Sequence, residues 1–150
     1  MESVRIGPLR FPETPFLDIE QGEWEALVEA LEQATFGLKA FARRCRGPGS
    51  AVLVSSAAAA RAIHGCTLEA VAGAFLTTVS LVAAVELKPR GIAVNTIVPA
   101  RPPDEKTVAA VAGFLTSGAA AGVTGAVIAA DGGFSVTKEP GAKPPLAEPG

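Results

Sequence analysis

Tyrosine is absent from this chain, and tryptophan, histidine and methionine occur once each. Without tyrosine there is no phenol to donate a proton at a reacting oxygen. One histidine, His64, and two cysteines, Cys45 and Cys66, do not make the spacing of a zinc site. The two thiols read as reduced cysteines of a cytoplasmic protein. There is no block of basic residues and the net charge is -2, so no nucleic-acid partner is expected. The opening residues Met1-Glu2-Ser3-Val4-Arg5 carry no apolar signal run. Thr, Ser, Glu and Gly interrupt every apolar stretch before about 18 residues, so no membrane span is expected.

What is present is apolar. Hydrophobic residues make up 49% of the 150 positions and charged residues 19%, the balance of a globular chain. This length suits one domain that buries roughly 70% of its unfolded surface. Pro8, Pro12 and Pro15 forbid a long helix near the start, leaving Val4 to Leu9 as a short strand or an extended arm. A helix is predicted from about Gln21 to Arg46, with Trp24, Leu27, Val28, Leu31, Leu38 and Phe41 at helical steps. Arg43, Arg44 and Arg46 suit the negative end of its dipole, and Gly47-Pro48-Gly49 stops it.

Ser50 to Ser55 reads as a strand covered on both faces. A second helix spans about Thr67 to Leu87, Ile92 to Val98 is the next buried strand, and a shorter helix runs from about Asp104 to Thr116. In that helix Val108, Val111, Phe114 and Leu115 are expected to point inward. Gly125 to Ala130 is the last strand, and Asp131-Gly132-Gly133 is read as a tight turn rather than an anion site. Alternation with short loops predicts an α/β fold, a partial doubly wound Rossmann-like parallel sheet of three or four strands. Long helices are expected on both of its faces. The domain is taken as residues 1–136, and the Pro/Gly-rich residues 137–150 as a tail.

Two runs carry a family resemblance: Val85-Glu86-Leu87-Lys88-Pro89-Arg90-Gly91-Ile92-Ala93-Val94-Asn95, and Val123-Thr124-Gly125 through Asp131-Gly132-Gly133. Together with Pro15-Phe16-Leu17-Asp18 before Trp24, and Ser55-Ser56 after a strand, they resemble the C-terminal half of the short-chain dehydrogenases/reductases. The resemblance covers about Pro15 to Phe134. It implies a catalytic serine at Ser56, a tyrosine thirteen residues on and a lysine four further. Those positions hold Glu69 and Gly73, and the family's helix asparagine falls on Leu31. Counting back from Val85-Glu86-Leu87 gives the same register. A glutamate there is ordinarily anionic and repels a developing alkoxide, and glycine supplies no charge. Only the Ser56 remnant survives, so no intact catalytic set and no enzyme acting on its own are expected.

The family's glycine-rich nucleotide turn follows a first strand, and no such strand–turn–helix unit precedes this half, so no cofactor is expected. The Pro-Gly step after the Val-Asn strand is Pro99-Ala100 here. An improvised triad of Ser56, His64 and Glu69 is weighed against a turn serine, a loop histidine and a first-turn glutamate, and the second reading is preferred. The resemblance also implies that the two long helices and the last helix and strand meet neighbouring subunits. Trp24, Leu38, Phe41, Phe75, Val79 and Val82 are the candidate interface residues. A sheet cut short exposes a strand edge, which the early prolines or a partner would cover.

Three readings follow. The first is a non-catalytic subunit that stabilises or regulates a complete reductase, or assembles with copies of itself. The second is a component of an NAD(P)-dependent oxidoreductase whose catalytic residues come from a partner. The third is a small-molecule binding module using space left by Leu31 and Gly73. Met1 points to a complete chain; loss of a first half is the alternative.

Overall fold

A computed structural model describes residues 1–136. The reading of 137–150 as a tail lies outside them. Strand β1 (Glu2–Ile6) leads through a proline-containing arm to helix α1 (Gln21–Arg44). Strand β2 (Gly49–Val54), the single turn α2 (Ala57–Ala60) and helix α3 (Thr67–Leu87) follow. Strand β3 (Ile92–Pro99), helix α4 (Glu105–Leu115) and strand β4 (Val127–Ala130) complete it. The strands form one parallel sheet in the order β1-β2-β3-β4. The uncertain first segment is therefore a strand, set earlier than Val4–Leu9. It pairs along β2 from Glu2 opposite Gly49 to Ile6 opposite Leu53, and so covers the edge that the sequence left bare.

The alternation of β2 and β3 divides the core. Ala51, Leu53, Ile92 and Val94 meet Leu38, Phe41 and Ala42 of α1 and Leu76 and Ala84 of α3. Val52, Val54 and Ile97 meet Val108 and Leu115 of α4 on the opposite face. Both long helices thus share one face, and only the shorter α4 covers the other; helices cover both faces, but long ones do not. Phe114 corrects the inward set of α4, since it is 47% exposed.

Local chemistry explains the helix ends. Glu20 and Glu23 form a reciprocal capping box on α1, and the Thr14 hydroxyl also donates to Glu23 at 2.6 Å. Helix α1 stops at Arg44, two residues early, because Cys45 turns into the core beside β2. Asp104 caps α4 by accepting from the Lys106 amide and the Thr107 hydroxyl. Helix α3 departs from the sequence reading in one respect. Thr67–Arg90, with a mean hydropathy of 1.9, is long and apolar enough by length and composition to cross a membrane. Here Leu68, Ala72, Leu76, Ser80 and Ala84 are buried, and the helix lies along β3.

Asn95 joins the last strand to the rest. It is fully buried on β3, and its amide donates to the Val123 carbonyl at 2.9 Å while its oxygen accepts from the Ala126 amide at 3.0 Å. Asn95→Leu leaves both backbone groups without that partner, and an expected loss of about 2–4 kcal/mol is measurable by urea unfolding.

Beyond β4, the Asp131 carboxylate accepts from the amides of Gly133 at 3.0 Å and Ser135 at 2.9 Å. Burial pushes its pKa up, but the bonds from Ser135 and Gly133 outweigh burial and hold it below the usual aspartate value. A lowered native value gives stability that is present above the unfolded-chain pKa and lost as pH falls through the native one. Asp131→Asn is expected to lower the melting temperature at pH 7, and its difference from wild type to narrow as pH falls below the ordinary aspartate value of about 3.9.

Candidate functional site

Parallel strands all point their carboxyl ends to one edge of the sheet, where α/β folds bind ligands. At that edge a cleft of about 250 Å³ opens between the arm after β1, the end of β2, the first turns of α3 and the loop after β3. Pro8, Arg10, Phe11, Ser55, Ser56 and Pro99 line it, together with Glu13, Glu69 and Arg101. The carried-over register therefore places Ser56 and Glu69 in one cleft. Helical geometry puts Gly73 one turn beyond Glu69 on the same face.

The carried-over positions are not vacant. Ser56 is the N-cap of α2, its hydroxyl oxygen accepting from the Ala58 amide at 3.1 Å. Ser55 donates its hydroxyl to the Gly73 carbonyl at 2.8 Å, and the Thr77 hydroxyl reaches Ser55 at 3.2 Å. These bonds draw the end of β2 tightly onto α3. A Cβ on Gly73 would lie 2.9 Å from the Ala59 methyl, 2.9 Å from Ser55 Oγ and 3.0 Å from the Ser56 nitrogen. No room is left where the family resemblance puts a lysine, which corrects the expectation of free space at Gly73. Leu31 lies away from the cleft, in an apolar cluster with Leu27, Leu68 and Ala72.

Glu69 has a partner that the sequence did not disclose. Arg101 donates from Nε to Glu69 at 2.6 Å and from an Nη nitrogen to Glu13 at 2.6 Å. The Glu69 side chain is 17% exposed and that of Glu13 is 63% exposed. The hydrogen bonds that Arg101 donates to Glu13 and Glu69 push its pKa above the usual value, so the guanidinium is permanently charged. Nearby, burial pushes the Cys66 thiol up, away from a reactive thiolate. Residues 32 and 88 apart in sequence form this cluster, so no local spacing signals it.

The improvised triad does not assemble. His64 is exposed in the loop before α3, Ser56 is committed to its cap and Glu69 to Arg101. Among the described residues no group of His, Cys, Asp and Glu is placed to hold a metal ion.

The candidate interface set divides. Leu38 and Phe41 are buried in this chain's own core, because α1 lies flat on β1 and β2 there; they are withdrawn as contact residues. Phe75 and Val79 are partly buried against the same cluster. Trp24 and Val82 are exposed, and Val28 is exposed beside Trp24. Between α1 and α3 runs a groove of about 480 Å³, lined by Leu38, Ala42, Val79, Val82 and Ala83 with Lys39, Arg43 and Glu86 at its rim.

Gly73→Ala is expected to destabilise the chain by about 1–3 kcal/mol in denaturant unfolding, because the collision begins at Cβ. In an open helix the same change gains about 1 kcal/mol, so the sign distinguishes the two cases.

The comparisons agree with this geometry. A family model described as enoyl-(acyl carrier protein) reductase matches residues 5–102. A short-chain type dehydrogenase/reductase from Mycobacterium ulcerans superposes with a TM-score of 0.81 at 26% identity, over 91% of this chain and 61% of that one. Acetoin dehydrogenase from Enterobacter cloacae gives 0.83 at 21% identity, over 96% and 68%. The NADH-dependent enoyl-[acyl-carrier-protein] reductase from Aquifex aeolicus gives 0.77 at 20% identity, over 93% and 64%. No curated protein matches the chain. The chain spans 58% of a further matched structure, a short chain dehydrogenase from Mycobacterium smegmatis. With the family matched across β2, α3 and β3, and the fold shared with its solved members, this chain belongs to the short-chain dehydrogenase/reductase family.

Proposed function

We propose that this chain is a non-catalytic member of its family that acts by assembly, stabilising or regulating a complete reductase or pairing with copies of itself. The observation that carries the proposal is the outer face of α3. Leu81, Val82 and Val85 stand in solvent there, Val85 at 75% exposed. They continue the apolar groove between α3 and α1. An apolar stripe of this length on a lone domain is an association surface or a liability. The charged rim of Lys39, Arg43 and Glu86 gives it the polar border of a protein interface.

The state of the cleft supports the other half of the proposal. A family oxidoreductase needs a proton donor at Glu69 and a cation at Gly73. The first position is an ion-paired carboxylate, and the second is closed by Ala59 and Ser55. Losing a general acid alone costs about 10²–10⁴ in rate. The reading includes no bound nucleotide and a cytoplasmic location.

Light scattering is expected to show a dimer or larger assembly, or a complex with a full-length reductase from native extract. Val82→Glu together with Val85→Glu is expected to give a folded monomer. A monomeric wild type with no reductase attached overturns the proposal. NADH fluorescence enhancement by this chain alone overturns its non-catalytic part.

A further inference from the structure

We propose that Arg101 is a binding site for small organic carboxylates, and that Glu13 is the chain's own occupant of that site. The inference is independent of the outer face of α3. Arg101 grips two carboxylates of unequal standing. Glu69 belongs to α3 and is mostly enclosed; Glu13 comes from the arm after β1 and its side chain is 63% exposed. An ion pair that open to water contributes little and exchanges readily with solvent anions. The guanidinium fork matches a carboxylate in a plane, which favours that ligand class over spherical anions.

The surroundings suit a small guest. The cleft beside Arg101, at about 250 Å³, lies below the roughly 300–1,000 Å³ of sites for drug-sized ligands. Its charged lining consists of Arg10, Arg101, Glu13 and Glu69. With Glu13 turned outward, two arginines face one carboxylate, and the cleft favours an anion. Phe11 and Pro99 supply apolar walls for a short carbon chain. Ser55 and Ser56 stand at the end of β2 as polar neighbours. A ligand carboxylate that takes the place of Glu13 on the Nη side leaves the Nε bond to Glu69 intact. The Glu13 side chain is then released from the loop after β3, while Thr14 keeps the arm in place through its amide bond to the Gly65 carbonyl and its hydroxyl bond to Glu23.

The test is an NMR titration of the full chain with sodium acetate and sodium succinate, against sodium chloride at matched ionic strength. The expected result is carboxylate-specific movement of the Ser56 and Arg101 amide signals, with a dissociation constant on the order of millimolar. Glu13→Gln removes the competitor and is expected to tighten binding about two- to fivefold. Arg101→Gln combined with Glu69→Gln leaves no buried charge unpaired, and is expected to abolish the movement while keeping the fold. Movement that persists in the double variant, equal movement with chloride, or none in both wild type and Glu13→Gln overturns the proposal.

Discussion

Four parallel strands constrain nearly everything else in this molecule. Parallel neighbours cannot be joined by hairpins, so each connection crosses a face of the sheet and carries a helix. The crossovers bring α1 and α3 onto one face and α4 onto the other, and the alternation of β2 and β3 supplies each with a buried row. The same constraint gathers all the strand carboxyl ends at one edge. Residues as distant as Glu13, Ser56, Glu69 and Arg101 therefore line one cleft. The cleft is a product of topology before it is a product of any side chain.

Helix α3 shows how two surfaces of one element answer to different neighbours. Helix α3 buries Leu76, Ser80 and Ala84, meets the cleft through Glu69, and meets the segment after β2 through Gly73. Its outer row of Leu81, Val82 and Val85 is set by neither contact. Substitution at the cleft end leaves the outer row untouched, because residues on opposite sides of a helix are constrained separately. The cleft end and the outer face are thus separately constrained along one element of 21 residues.

Much of this was legible in advance, and the failures share a cause. Periodicity located α1, α3 and α4 because their inner rows recur at helical steps, and the continuous apolar runs of β2 and β3 marked strands buried on both faces. Strand β1 was ambiguous because Ser3 and Arg5 alternate with Val4 and Ile6 at an edge, where one side is half covered. Phe114 turns outward because periodicity reports a helix's apolar rows but not how wide a strip the sheet covers. The same limit put Leu38 and Phe41 in an interface, when they fill the space above β1 and β2. Register counting singled out Ser56 and Glu69, which both line the cleft. It could not show Arg101, whose two partners are assembled only by the crossovers, nor the collapse of Ala59 onto Gly73.

That collapse has a consequence for the history of the site. A lysine restored at Gly73 meets the Ala59 methyl and the Ser55 hydroxyl, so the segment after β2 must be rebuilt first. A tyrosine restored at Glu69 strands Arg101 without its better-enclosed partner. Each single step toward the residues of the family resemblance lowers stability before the other is in place. The packing behaves as a ratchet: once the small residue and the tight loop have met, selection acting on one position at a time meets an uphill path.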